Sequence, residues 1–386
     1  MANKVGLAIA IYTINYGTFL QAYATQYTIK KLGYDTEIIN INSVKEDVSK
    51  NRQKYFISQI FNFSEVWSYR YAISSIISKK TNFKYRKYIE RREKRFLDFK
   101  NIFFDIGEVK DSWGGLTKYC ENFSSVVVGS DQLWRPANIA GNFYTLNFVP
   151  DNINKISYAT SFGMNKIRTN QVKKAKKFLS RINYLSCREK SGVDIINDLI
   201  GRKAEVVCDP TILLNKNEWD QMLNQTPIIN GDYILVYLLG DDKNHRMYMK
   251  KLAKFTGCKI VGVLHGSGYI HGDEKYMDII PNDIGPLEFL NLIKYSKYIC
   301  TDSFHGCVFS ILFEKNFYAF KLFSDKNSMS TNGRVINLLT KFNLQDRLID
   351  NYSILITNEI DYSKVNVVVD EFRKESLNYL SVALKG

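Results

Sequence analysis

Tyr298-Ile-Cys-Thr-Asp-Ser-Phe-His-Gly-Cys-Val-Phe-Ser-Ile-Leu-Phe313 decides the fold. An apolar run ends at Cys300, a polar turn of Thr301, Asp302 and Ser303 follows, and His305-Gly306 opens a second apolar run with helical spacing. This pattern predicts strand, turn and helix, the repeating unit of an α/β protein. Asp302 or Ser303 is suited to cap the helix, since a short polar side chain there accepts from the free N–H groups of the first turn. The same placement sets an imidazole at a helix N-terminus, where unpaired N–H groups and the positive dipole end attract anions. A hydrogen-bonded histidine in a core helix has the same local sequence, so the rest of the chain must separate the two readings.

The α/β rhythm extends in both directions. Val5-Gly-Leu-Ala-Ile-Ala-Ile11 reads as a buried strand, Asn15-Tyr-Gly17 as a turn, and Leu20, Tyr23, Ala24 and Tyr27 as one face of a helix that stops at Gly33. Thr36–Ile41 is the next strand. No G-x-G-x-x-G accompanies this opening, so dinucleotide binding is not indicated. Further strands are predicted at Ser125–Val128, Lys155–Thr160, Tyr184–Cys187 and Glu205–Cys208, then at Tyr233–Leu239, Lys259–Val263, Lys297–Cys300 and Phe317–Phe320. The pattern predicts an α/β protein of two Rossmann-like domains facing a cleft, at residues 1–212 and 228–342. A linker with a short helix falls within 212–231, and a helical segment closes the chain at 343–386. Residues 45–105 interrupt the first domain with a stretch rich in Lys, Arg, Tyr and Phe. Within it, Tyr85–Phe99 reads as a basic amphipathic helix, either a solvated insertion or a surface that meets a membrane-bound anionic substrate.

Bulk composition narrows the partners. Across 386 residues, 53 Lys and Arg against 39 Asp and Glu leave a net charge of +14, which favours anionic ligands. Phosphorylated small molecules and anionic lipid surfaces fit that charge. Nucleic acid is not expected, because no recognition motif accompanies it. No apolar run is long enough to span a bilayer, and the N-terminal apolar stretch reads as a strand rather than a signal peptide. The six cysteines lack any C-x-x-C pair and sit in apolar runs, as expected of buried free thiols in a reducing cytosol. The four histidines show no metal-ligand spacing, so no metal is expected.

Polar clusters fall where strands are predicted to end: Asn15 and Tyr16, Ser130 and Asp131, Ser161, Arg188, and the Asp302–His305 turn. In a parallel sheet these ends share one edge, so distant residues converge there.

The motifs also resemble those of the polysaccharide pyruvyl transferase family. Asn15-Tyr-Gly17 with Leu20-Gln21, Val126-Val-Val-Gly-Ser-Asp131-Gln-Leu-Trp134, Tyr158-Ala-Thr-Ser-Phe-Gly163, Ser186-Cys-Arg188-Glu, Cys208-Asp-Pro-Thr211 and Thr301–Gly306 occur in the family's order, over about residues 12–340. The resemblance implies a glycosyltransferase-B-like arrangement, with the first domain on the acceptor side and the second on the donor side. It implies transfer of a pyruvyl group from phosphoenolpyruvate to a sugar of a bacterial surface polysaccharide or its lipid-linked or nucleotide-linked precursor, with no cofactor. His305 then matches the general acid and Asp131 an acceptor-orienting carboxylate. Arg188 and Arg334, with Ser303 and Gly306, lie on the donor side; Asn15, Tyr16, Ser161 and Trp134 are the acceptor contacts. Taken by itself, Trp134 reads as structural, since aromatics mostly fill cores. The expected location is the cytoplasm or the inner face of the cell membrane. Family members often carry Arg two residues before the histidine, where this chain has Ser303. A nucleotide-sugar glycosyltransferase on the same scaffold, or a non-catalytic protein that binds anionic glycolipid, are the competing readings.

Overall fold

The computed structural model describes residues 3–58, 77–78, 80–264, 269–270, 272–323 and 332–386. In chain order the first half contains β1 (Lys4–Ala8), α1 (Tyr16–Lys31), β2 (Asp35–Ile38), α2 (Lys45–Ile57), α3 (Phe83–Phe103), α4 (Trp113–Cys120), β3 (Ser125–Val128) and α5 (Pro136–Gly141). It continues with β4 (Asn154–Ser157), α6 (Val172–Arg181), β5 (Ser186–Cys187), α7 (Lys190–Ile200), β6 (Glu205–Val206), α8 (Pro210–Leu213) and α9 (Lys216–Asp220). The second half contains β7 (Tyr233–Tyr237), α10 (Lys243–Thr256), β8 (Lys259–Gly262), α11 (Pro286–Tyr295), β9 (Tyr298–Thr301), α12 (Phe304–Leu312), β10 (Asn316–Ala319), α13 (Asn332–Lys341) and α14 (Tyr362–Lys385).

Two parallel sheets result, ordered β2-β1-β3-β4 and β10-β9-β7-β8. Parallel bridges from Ile156 to Tyr184 and from Thr160 to Cys187 carry β5 and β6 alongside β4. The strands are short apolar runs covered on both faces, as parallel sheets require; Val126, Val127 and Val128 of β3 are wholly buried. The register pairs Val5 with Ser125 and Ala8 with Val128, so the loops after β1 and β3 leave from the same edge. The α/β fold with two Rossmann-like domains is therefore the one the sequence implies.

The two sheets meet at a packed seam rather than across an open gap. Tyr16, in the first turn of α1, stacks on Phe289 of α11 with ring centroids 4.4 Å apart and 12° between planes. Its hydroxyl donates to the Ile284 carbonyl at 2.9 Å. Trp219 of α9 meets Phe309 of α12 edge-on at 5.2 Å.

The insertion expected over 45–105 forms α2 and α3; residues 59–76 and 79 of that stretch lie outside the described residues. Helix α3 buries Tyr85, Tyr88, Ile89, Arg92, Phe96 and Phe99 and is a strap between the domains, not a solvated appendage. Arg92 donates from Nη2 to the Leu264 carbonyl of the second domain at 2.6 Å. Arg91 and Arg95 reach Asp283 and Glu288 of that domain at 3.9 and 3.7 Å. The sequence reading missed this because helical periodicity shows which face is buried, not what buries it.

The C-terminal segment contains the predicted helix, and that helix crosses back. The Tyr362 hydroxyl donates to Lys315 O in the second domain, while Ser376 Oγ accepts from Cys208 N and the Tyr379 hydroxyl donates to Ser157 O in the first. Its inner face, Val365, Val369, Phe372, Tyr379, Leu380 and Leu384, is buried at i, i+4 and i+7 spacing. Each such side chain stabilises the joined domains by roughly 1.5–3 kcal/mol.

Candidate active site

The loops at the carboxyl edge of the first sheet, together with the β9–α12 turn of the second, build one cluster of charge. Ser303 caps α12: its Oγ accepts from Gly306 N at 3.3 Å. Asp302, the other capping candidate, instead takes Leu239 N at 2.6 Å and Gly240 N at 2.9 Å, tying the turn to the end of β7. Gly306 lets α12 sit tightly on the strand, since a Cβ there would lie 2.3 Å from Thr301 Oγ1. The cap therefore aims His305 out of the C-terminal domain and across the seam. There it meets Gly17, where an added Cβ would fall 2.0 Å from His305 Nδ1.

The other face of the imidazole meets Asp209. His305 Nε2 is 3.5 Å from Asp209 Oδ2, within ion-pair range but without a well-formed hydrogen bond. The same Oδ2 accepts from Arg188 Nη1 at 2.7 Å and from Ser130 Oγ at 3.0 Å, while Oδ1 accepts from Thr211 N and Oγ1. Burial alone pushes this carboxyl towards protonation. His305, Arg188 and the Thr211 hydroxyl outweigh it and hold Asp209 well below the usual carboxylate range. Asp209 is thus ionised at neutral pH and holds Arg188 on one side and His305 on the other.

Asp131 forms the opposite wall. Its backbone takes φ of 72°, a left-handed conformation that Asp tolerates better than most residues. The turn directs its carboxylate to Thr18 Oγ1, which donates at 2.9 Å, and to Arg188 Nη2 at 3.9 Å. Burial raises its pKa, but Arg188, His305 and Arg334 overcome that and lower it. Arg188 keeps unused capacity: Nε and Nη2 are buried without a hydrogen-bond partner, although Glu189 Oε2 lies 3.8 Å from Nε. Phe304 separates the two arginines, with its ring centroid 4.3 Å from the Arg188 guanidinium and 6.0 Å from that of Arg334. Burial first, then repulsion from Arg188, brings Arg334 down to about 10, which leaves it charged at neutral pH.

The structure therefore brings His305, Asp131, Arg188 and Arg334 together, with Gly306 and Ser303 positioning the histidine rather than offering groups of their own. Arg188 belongs to the first sheet, so donor-side and acceptor-side residues share one site and do not divide by domain. Asn15 lies at the rim of this site, where its Oδ1 caps α1 by accepting from Thr18 N at 3.1 Å. Three acceptor contacts expected from the sequence take other roles. Tyr16 is buried in the domain seam with its hydroxyl bonded, as described above. Trp134 is wholly buried against Phe162 and Phe178, and its Nε1 donates to Tyr144 O. Ser161 is wholly buried, donates to Glu189 Oε1 at 2.5 Å and accepts from Gly163 N. Asp209 is the site residue that strand-end reasoning missed, because Asp209-Pro210 reads as a breaker after the strand, whereas Asp209 caps the short helix α8. The Cys208-Asp-Pro-Thr211 motif carried the signal.

A two-domain α/β protein with two arginines, two carboxylates and a histidine clustered at the domain seam is the class that fold and site define. The family model for polysaccharide pyruvyl transferase matches residues 15–322, and the chain belongs to that family, whose members are transferases. Among curated proteins, none matches the chain.

Solved structures with a similar course include UDP-GlcNAc 2-epimerase from Neisseria meningitidis, bound to UDP-GlcNAc, at 12% identity and TM-score 0.46, covering 97% of this chain and 99% of that one. The glycosyltransferase SnogD from Streptomyces nogalater is similar at 10% identity and TM-score 0.43, covering 97% of this chain and 95% of that one. The E. coli heptosyltransferase WaaC with ADP follows at 10% identity and TM-score 0.36, covering 89% and 98%. No helix among the described residues is long and apolar enough to cross a membrane.

Proposed function

We propose that the protein transfers a pyruvyl group from phosphoenolpyruvate to two hydroxyls of a sugar in a surface polysaccharide precursor, forming a cyclic ketal and releasing phosphate. The observation that carries this reading is the clustering of His305, through Asp209 and Phe304, with buried Arg188 and half-buried Arg334, the first of which keeps Nε and Nη2 without a hydrogen bond. An enol phosphate with a carboxylate needs fixed cations and one proton donor. Arg188 and Arg334 supply the first, and the planar fork of Arg suits both carboxylate and phosphate. Arg334 offers the cation that Ser303, committed to its cap, does not.

In the reaction His305 delivers a proton to the terminal methylene carbon, which becomes a methyl group and leaves an oxocarbenium-like centre at C2. One sugar hydroxyl adds there and loses its proton, the C2–O bond to phosphate breaks, and the second hydroxyl closes the ketal. The two hydroxyl protons balance: one restores His305 and the other leaves with phosphate. Asp131 orients the attacking hydroxyl and relays its proton towards the departing phosphate, and Asp209 holds the imidazole in place.

The test is incubation with phosphoenolpyruvate and a panel of lipid-linked and nucleotide-linked sugars, following phosphate release and product mass. In deuterated water the pyruvyl methyl group gains one deuteron. Transfer of a sugar from a nucleotide sugar, with no ketal product from the panel, overturns the reading.

A further inference from the structure

Helix α6 carries four lysines that no acidic group among the described residues neutralises. Residues 165–181 hold Lys166, Arg168, Lys173, Lys174, Lys176, Lys177 and Arg181 and contain no Asp or Glu. The four α6 lysines are exposed, and none makes an ion pair among the described residues. The opposite side of the helix, Ala175, Phe178 and Leu179, is wholly buried in the core of the first domain. The lysines thus stand on a rigid support, with Lys173, Lys176 and Lys177 on one face at i, i+3 and i+4.

This flank continues into α2. The Arg168 guanidinium lies 5.9 Å from the centroid of the Tyr55 ring, and Gln171 donates to Pro136 O of α5, which Arg52 of α2 also contacts through Asn138 at 2.7 Å. On α2, Lys50, Lys54 and Ile57 recur at i, i+4 and i+7, and Ile57 is 66% exposed. Helix α3, equally basic in sequence, differs: Arg86, Arg91 and Arg95 are matched by Glu90, Asp283 and Glu288.

We propose that the α2–α6 flank docks the protein on an anionic lipid bilayer. Unpaired lysines are point charges suited to a fluid array of head groups, and an exposed aliphatic side chain beside them fits the acyl boundary. Base stacking on a nucleic acid would call for exposed aromatics instead. The bilayer reading stands apart from the pyruvyl reading, because binding is measured without phosphoenolpyruvate or turnover.

The full chain should sediment with phosphatidylglycerol-containing vesicles and not with phosphatidylcholine alone, and raising salt from about 0.05 to about 0.5 M should release it. Each surface lysine contributes roughly fivefold to partitioning, so the combined variant Lys173→Gln, Lys174→Gln, Lys176→Gln and Lys177→Gln should bind on the order of several hundredfold more weakly. The α3 variant Lys84→Gln, Lys87→Gln and Lys94→Gln should keep most binding. Unchanged binding of the α6 variant, equal binding to neutral vesicles, or retention on a soluble polyanion without vesicle binding each overturns the proposal. If the α6 variant does not fold, the vesicle composition and salt series on the unaltered chain decide.

Discussion

Two buried histidines of the C-terminal domain, each beside an aspartate, have opposite prospects. His305 stands at the domain seam, 3.5 Å from an aspartate that is held ionised by a buried arginine. His245, in the first turn of α10, lies 4.0 Å from Asp302, and its ring stacks on Phe320 at 4.5 Å with neither nitrogen hydrogen-bonded. Burial, with repulsion from Arg246, lowers His245 to about 4, although Asp242 and Asp241 oppose the shift. A ring that stays neutral at working pH and packs within its own domain is a poor proton donor. Burial beside a carboxylate is common to both histidines; what sets His305 apart is its place at the domain seam, where its aspartate also holds Arg188.

The largest expected effect breaks or keeps that contrast. His305→Gln should lower turnover by roughly 10²–10⁴-fold, whereas His245→Phe, which preserves the stack on Phe320, should leave steady-state rates within about threefold. Comparable losses in the two variants would end the distinction.

Asp209→Asn comes next, and its main readout is stability. Losing the charge leaves Arg188 buried without its partner, a change that typically costs about 3–5 kcal/mol. The sign of its pH dependence follows from a folded-state pKa below the unfolded one. The stabilisation is present above about pH 4 and is lost as pH falls towards the folded value. Urea midpoints between about pH 3 and 6 should fall steeply in the parent and less so in Asp209→Asn.

Arg188→Lys should retain a cation near Asp209 but lose the second N–H of the fork. The expected outcome is about a tenfold to a hundredfold rise in KM for the anionic donor, with a smaller change in kcat.

The smallest effect sharpens the comparison from the other side. Burial raises Asp302 to about 6 despite its bonds to Leu239 and Gly240, so acidification through that range favours the folded state. His245 has the opposite sign: its folded value lies below its unfolded one, so the fold loses stability as pH drops below about 6.5. In the parent the two dependences largely offset. In His245→Phe only Asp302 remains, and lowering pH from about 7 to about 5 should stabilise the fold by about 1 kcal/mol. No gain in thermal midpoint on acidification would show that Asp302 is not buried as an ionised group.

Much of this was readable from residue order. The strand–turn–helix pattern at 298–313, the apolar strands and the placement of Asp131, Arg188 and His305 at strand ends follow from hydrophobic period and turn chemistry, which act over a few residues. Trp134, Ser161 and Tyr16 show the limit. Each stands at a strand end, yet their side chains turn inwards, because the loop that follows decides which residues face the cleft. Asp209 was visible as a motif but not as a role, since its partners beyond Thr211 lie at positions 130, 188 and 305.

The sequence by itself determined the α/β fold, the family and the histidine at the start of α12, because each depends on local spacing or on motifs in order. Tertiary structure alone decided that Asp209 links Arg188 to His305, that α3 is a strap and that the unpaired charge lies on α6. The physical reason is that a charge is defined by what neutralises it, and the neutralising partners here are tens to hundreds of residues away.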